Sequence, residues 1–246
     1  MSQSFETILL DITDTLSSTS GIEDSWAAIV RASEKIGAVA LNAGAFTRDT
    51  REMIWARSTM EDAWIKEYDA NRFHEIDPML FAIRRGDIPE LSLAGLPVPG
   101  MAPDPRFPLL RQRLLSYGYA WLWAHQWRKP AYDNVVVMAM QDDPQEMFGP
   151  NTADLIRTVS ALMAARLSPP TEVDALYGGM TEYRSLTVRE KDVMHCLAQG
   201  MNNSRIAETL GVAEITVRMH LRNVRQKMGA TTREHALALA LLRGAF

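Results

Sequence analysis

At 246 residues and 47% hydrophobic, the chain is long enough to form two cores, and no run in it approaches the roughly twenty apolar residues of a membrane span. A formal net charge of −4 and an isoelectric point near 5.8 do not describe a chain that binds nucleic acid over its whole surface. The single cysteine, Cys196, excludes an internal disulfide and suits a reducing cytoplasm, and the N-terminus MSQSFETILLDI lacks the basic region and apolar stretch of a signal peptide.

In chain order, Phe5 to Leu16 and Ile22 to Ile36 read as helices. Ala38 to Phe46 and Arg51 to Ala56 read as a strand pair with TRDT at the turn. Glu61 to Arg72 is helical, and a short helix over Asp77 to Arg85 follows Ile76. Arg106 to Ser116 is a helix that tolerates Pro108 in its first turn. Ala120 to Trp127 and Asn134 to Gln141 read as two more strands, and Thr152 to Leu167 as a helix with Leu155, Ile156, Val159, Leu162 and Met163 on one side. Helices before, between and after antiparallel strands predict an α-β-α sandwich, a sheet covered on both faces.

The segment SPPTEVDALYGGM, Ser168 to Met180, has two prolines and two glycines between periodic stretches and reads as a linker. The expected division is a first domain over 1–168, a linker over 169–183 and a second domain over 184–246. Charge divides in the same way. From Arg184 to Phe246 ten basic residues stand against five acidic ones, a net of +5; of the chain's 26 basic and 30 acidic residues this leaves sixteen against twenty-five, a net of −9, for Met1 to Tyr183. Two regions of opposite sign imply two domains with different partners, and an acidic first domain weakens indiscriminate binding to phosphates.

Leu186 to Phe246 reads as an all-α module of four helices. Thr187 and Glu190 form a capping box, Val193, Met194, Leu197 and Ala198 recur at helical spacing, and Gly200 supplies the stop. A short helix follows Asn202 and Asn203, with Ile206, Ala207 and Leu210 inward and Gly211 at the turn. The next helix begins within three or four residues, the spacing of a helix-turn-helix. In it Val217, Leu221, Val224 and Met228 form one inward stripe. Arg218, Met219, Arg222, Asn223 and Gln226 point away from that stripe, and Thr216, Arg225 and Lys227 flank it. Forked donors on a protruding helix suit guanine edges, and flanking cations and a hydroxyl suit phosphates. A solvated basic face on a bundle is the plain alternative, but caps, turn glycine and helix order together favour double-stranded DNA.

LTVRE, the spacing to AQG, the run IAETLGVAEITVRMHLRNVRQKMG and the closing TTREHALALALLRG resemble the DNA-binding domain of the LuxR family of bacterial transcription regulators. The resemblance implies that Ser204 to Arg222 hold the helix-turn-helix, so that Ser204 joins the DNA-facing residues, and that the last helix pairs two copies. Thr231 and Glu234 repeat the capping box there, and Ala236, Leu237, Ala240 and Leu241 give an apolar side that covers either a partner or its own domain.

What precedes such a module decides what it senses. A receiver domain is the obvious competitor, but FETILLDITDTL lacks an early apolar strand ending in paired acids and no regular strand-helix alternation follows. The stretch WIKEYDANRFHEIDPML instead resembles the autoinducer-binding domain of the quorum-sensing LuxR branch, with Trp64, Tyr68, Asp77 and Pro78 at spacings of four, nine and one. The resemblance implies that the Trp64 indole N–H donates to the lactone carbonyl of an acyl-homoserine lactone, that Tyr68 packs along its amide and chain, and that Asp77 accepts its amide N–H. The chemistry stands independently, since a buried ligand amide needs a fixed acceptor and an indole offers one directed donor. Read singly, Trp64 and Tyr68 are an ordinary core pair one turn apart, and Asp77 before Pro78 is a helix cap.

The pattern departs from the family at three places. Met60 stands where a tyrosine is usual, Leu91 or Ser92 where a second pocket tryptophan is expected, and Leu122 where a glycine usually follows Gly118 by four residues. Tyr119, Trp121 and Trp123, alternating with Ala120 and Leu122, either refill such a pocket or belong to the core.

Two functions follow as expectations. The first is a quorum-sensing regulator that binds an acyl-homoserine lactone or related small signal and dimerises on a near-palindromic operator, its two reading helices about one DNA turn apart. The second is an orphan member whose pocket is empty or self-filled and which acts constitutively or by pairing with another regulator. An enzyme is a distant third, for nothing sets a nucleophile, metal cluster or phosphate loop beside Asp77, Glu90 or His74, and the five histidines are scattered without ligand spacing. No cofactor other than the signal is implied.

Overall fold

A computed structural model of the chain describes residues 5–48, 50–146, 149–170 and 186–246. It divides into two units, Met1–Ser168 and Pro169–Phe246. The expected linker over 169–183 falls, beyond Pro170, outside the described residues.

The first unit is built on five strands, β1 (Ala40–Thr47), β2 (Met53–Ser58), β3 (Leu91–Leu93), β4 (Trp121–Arg128) and β5 (Tyr132–Met140). Their order is β2-β1-β5-β4-β3, and every neighbouring pair is antiparallel. This is the α+β sandwich expected, not a doubly wound parallel sheet. In the central strand β5 every residue after Tyr132 is buried, so both faces of the sheet are covered.

On one face lie α1 (Phe5–Ser17), α2 (Ile22–Lys35) and α6 (Thr152–Arg166), which pack on one another. α2 meets β1, and α6 meets β4 and β5. Direct cross-strand partners share a face, so one hydrogen bond identifies a whole row. The Trp127 indole donates to Ser160 of α6 at 2.9 Å, and Trp127 pairs with Asn134, Asn134 with Ala45, and Ala45 with Trp55. The two-residue period then assigns Leu41, Trp121, Trp123, His125, Met138 and Met140 to this α6 face.

The other face carries small side chains: Ala40, Asn42 and Gly44 of β1, Ala56 and Ser58 of β2, Ala124 of β4, and Val137 and Ala139 of β5. At Gly44 the strands approach closely enough that a Cβ would lie 2.8 Å from the Trp55 carbonyl oxygen. Against this face runs the segment opening α3 (Asp62–Ala70), where Asn42 Nδ2 donates to Met60 Sδ at 3.6 Å. α3 is followed by the short turn Phe73–Glu75, then α4 (Pro78–Arg85) and α5 (Phe107–Ser116).

Strand ends differ from the sequence reading for local reasons. β1 starts at Ala40 because Gly37, at φ 83, turns the chain out of α2, and Ala38 N–H still bonds back to the Ser33 carbonyl. β2 starts at Met53 because Arg51 holds the left-handed conformation at φ 57. β3 was not foreseen: with three residues it is too short to show alternation.

The second unit is all-α: α7 (Val188–Ala198), α8 (Asn203–Leu210), α9 (Glu214–Met228) and α10 (Arg233–Leu242). Val193, Met194, Cys196, Ile206, Val217, Leu221, Val224, Met228, Ala236, Leu239 and Ala240 are buried in one small core. Cys196 is thus a core residue of α7. The capping box is present in both directions, Thr187 N–H donating to Glu190 Oε2 at 2.7 Å and Glu190 N–H to Thr187 Oγ1 at 3.3 Å. α10 is capped by Thr232, whose hydroxyl accepts from His235 N–H at 3.0 Å, and not by the Thr231–Glu234 box read from sequence. Its apolar side splits. Ala236 and Ala240 pack inward, while Leu241 remains exposed.

Candidate functional site

In the first unit the helical period of α3 sets Trp64 and Tyr68 one turn apart on its buried side. Trp64 meets Tyr68 edge-on at 5.6 Å between ring centres, Phe73 in a stack at 6.0 Å, Tyr117 at 5.5 Å and Tyr119 at 6.4 Å. Tyr117 and Tyr119 stack in turn at 6.0 Å. Tyr119 also holds the start of α3, its hydroxyl accepting from Glu61 N–H at 3.1 Å, and burial raises its phenol pKa.

Asp77 begins α4 as its cap. Its Oδ1 accepts from Met79 N–H at 2.8 Å and Leu80 N–H at 3.3 Å, with Pro78 in the first turn where a missing N–H costs nothing. Its Oδ2 accepts from the Tyr68 hydroxyl at 2.7 Å. Burial pushes the carboxyl above the ordinary aspartate range, and these bonds, led by that of Tyr68, only partly pull it back. By accessible surface Asp77 is half-buried.

Trp64 is 2% exposed and sits at the centre of this aromatic cluster. The cluster sets an indole N–H donor next to Tyr68, whose hydroxyl donates to the Asp77 carboxylate, the donor and acceptor types that a small polar ligand needs. The structure thus brings Trp64, Tyr68, Asp77 and Tyr119 together. Trp121 is not among them. Strand alternation sends it with Trp123 and Trp127 to the α6 face of the sheet, away from Met60 and α3. Sequence reasoning missed Phe73 and Tyr117, which complete the aromatic cluster; Phe73 lies inside the same WIKEYDANRFHEIDPML stretch and Tyr117 two residues before Tyr119. The position of Met60 is occupied by a thioether that accepts from Asn42, whose carboxamide oxygen accepts in turn from Ser58 at 2.6 Å.

In the second unit, Asn202 caps α8 through Arg205 N–H at 2.9 Å, and Gly211 ends it at φ 64. Only Val212 and Ala213 separate Gly211 from α9, so the two helices form a tight helix-turn-helix. Ser204, Arg218, Met219, Arg222, Arg225 and Gln226 are exposed, and Thr216 and Asn223 half-exposed. Arg218 contacts Glu214 one turn earlier at 3.4 Å, a weak surface pair. Lys227 is placed differently from the flanking phosphate contact expected. Its ammonium lies 2.7 Å from Glu190 Oε2, inside the unit. Burial pushes the Glu190 carboxyl up, but Lys227 and the Thr187 bonds outweigh it and hold its pKa below the ordinary 4.5.

Residues 184–240 match the family described as bacterial regulatory proteins, luxR family, and residues 21–92 match the autoinducer binding domain. The chain thus carries a match to an autoinducer-binding domain ahead of a match to a luxR-type DNA-binding domain. Both matched regions are regulatory and signal-binding domains, not catalytic ones. It is similar to the probable transcriptional regulatory protein SgaR of Hyphomicrobium methylovorum, at 37% identity over 35% of this chain and 40% of that protein. It is also similar to the nitrate/nitrite response regulator protein NarP of Escherichia coli K12, at 48% identity over 23% and 26%. The match thus spans well under half the length of these curated relatives. Among solved structures, SdiA of Escherichia coli aligns over 98% of this chain and 97% of its own at 16% identity, with a TM-score of 0.47. Among the described residues, no helix is long and apolar enough to cross a membrane.

Proposed function

We propose that the protein is a cytoplasmic transcription regulator that binds an acyl-homoserine lactone, or a related small signal, in its first domain and double-stranded DNA through α8 and α9 of its second. The observation that carries the signal reading is the buried Trp64 packed edge-on against Tyr68, whose hydroxyl donates to Asp77. In this reading Trp64 donates to a ligand carbonyl, Asp77 accepts the ligand amide N–H on its remaining lone pair, and Tyr68 and Tyr119 wall the site. The signal stabilises a homodimer whose two α9 helices reach a near-palindromic operator.

The test starts from the purified full chain. Small molecules extracted from it are identified by mass spectrometry, and short- to long-chain N-acyl-homoserine lactones are titrated while thermal unfolding and operator affinity are followed. A bound signal at a hundred times its Kd adds about 2.7 kcal/mol of stability, a clear rise in Tm. No retained molecule, no rise with any lactone and unchanged DNA affinity together reject the signal reading.

One observation favours a second reading. Asp77 already has three donors from the protein, so the cluster holds together without a ligand. An orphan regulator acting constitutively, or by pairing with another regulator, is selected if ligand-free protein is stable and already binds its operator.

A further inference from the structure

The core stripe of α9 (Val217, Leu221, Val224, Met228) has a counterpart on the opposite side. Ile215, Met219, Arg222 and Gln226 stand at i, i+4, i+7 and i+11, and at about 100° per residue each lies within about 50° of the direction directly opposite the core. All four are exposed. The first two are large and apolar: Ile215 is 68% exposed and Met219 50%. Two such side chains one helical turn apart form a continuous apolar strip, unlike a single surface residue of no consequence. Neither touches the core, and the β-branched Ile215 is a poor choice for a solvated helix. Arg218, Arg222 and Arg225 line one flank of the strip with positive charge, so its partner is apolar at the point of contact and anionic beside it.

Duplex DNA presents this combination. In the major groove the one apolar group on a base edge is the C5-methyl of thymine, and it is flanked by phosphates. Resting on the DNA-reading role proposed above, we infer that Ile215 is a specificity-determining residue that extends the Met219 surface by one turn and selects a thymine methyl in the operator, next to the bases faced by Arg218 and Arg222. Ile215 lies in the first turn of α9, the end of a recognition helix that enters the groove most deeply.

The experiment uses the full chain, with and without N-acyl-homoserine lactones, to enrich duplexes from a randomised pool. Each thymine of the selected duplex is then replaced singly by deoxyuridine, which removes only the methyl. Wild type, Ile215→Val, Ile215→Ala and Met219→Ala are compared. Loss of one buried methyl weakens binding about fourfold. The expected result is one thymine in each half-site whose deoxyuridine replacement weakens wild type and Ile215→Val but not Ile215→Ala, while a thymine sensed through Met219 keeps its penalty in Ile215→Ala. Unchanged unfolding of Ile215→Ala shows that the fold is intact. Equal deoxyuridine penalties in wild type and Ile215→Ala at every position overturn the inference while leaving DNA binding in place. Enrichment of no duplex at all overturns the DNA-reading role, and this inference with it.

Discussion

The Tyr68 hydroxyl donates to Asp77 Oδ2 at 2.7 Å, joining α3 to the first turn of α4 across nine residues of sequence. The same carboxylate caps α4 through its other oxygen, so one side chain has a structural task on Oδ1 and an open coordination position on Oδ2.

Substitutions at Asp77 separate these tasks. Asparagine caps a helix as well as aspartate, so Asp77→Asn leaves the urea midpoint nearly unchanged, whereas Asp77→Ala costs about 1 kcal/mol from the lost cap. Both weaken signal binding about tenfold or more through loss of a charged acceptor. Isothermal titration with the signal recovered from the protein checks the second effect. A signal that binds Asp77→Asn as tightly as wild type removes Asp77 from the site.

Trp64→Phe keeps a large ring among Tyr68, Phe73, Tyr117 and Tyr119 but removes the donor. Its stability falls little, while signal affinity drops by a factor of about three to ten. Trp64→Ala, which opens a cavity in the aromatic cluster, costs about 3 to 5 kcal/mol of stability. Paired melting and binding measurements distinguish the two.

Lys227→Ala strips Glu190, only 3% exposed, of its cation. Since Lys227 keeps contact with solvent, the cost is about 1 to 3 kcal/mol of second-domain stability, less than for a fully buried pair. DNA affinity per folded molecule changes little, unlike the loss expected of a phosphate contact. Denaturation followed by a gel-shift titration at matched folded fraction reads both.

The Glu190 carboxyl titrates below its unfolded value of 4.5. A depressed carboxyl contributes stability that is fully present above that value and disappears as pH falls through the folded pKa. The second domain should therefore weaken on acidification below about pH 4.5. Glu190→Gln should flatten that part of the profile, measured by unfolding at stepped pH.

Arg222→Ala and Arg218→Ala should each cost about 1 to 3 kcal/mol on the operator and relax base preference there. Random duplex loses much less, in proportion to one lost cation. Equal losses on operator and random DNA would falsify the assignment of these arginines to base edges.

Local chemistry wrote most of this molecule plainly. The capping box of Thr187 and Glu190, the αL glycine Gly211, the inward stripe of α9 and the Trp64–Tyr68 turn depend on residues three or four apart, so periodicity and caps reveal them without a fold. Even the aspartate cap before Pro78 is a short-range feature. Tertiary structure decided the rest. Alternation along β4 shows that Trp121, Trp123 and Trp127 share a face, but it takes the bonds from Trp127 to Ser160 and from Asn134 to the Ala164 carbonyl to show that this face meets α6 and not the Trp64 cluster. Lys227 looks like any flanking cation until α9 packs on α7 and brings it to Glu190, thirty-seven residues away. Thr231 and Thr232 are equivalent as caps by composition, and the docking of α10 selects Thr232. Spacing within a turn is encoded locally, whereas the direction a face looks, and the charge it meets, exists only once distant elements pack.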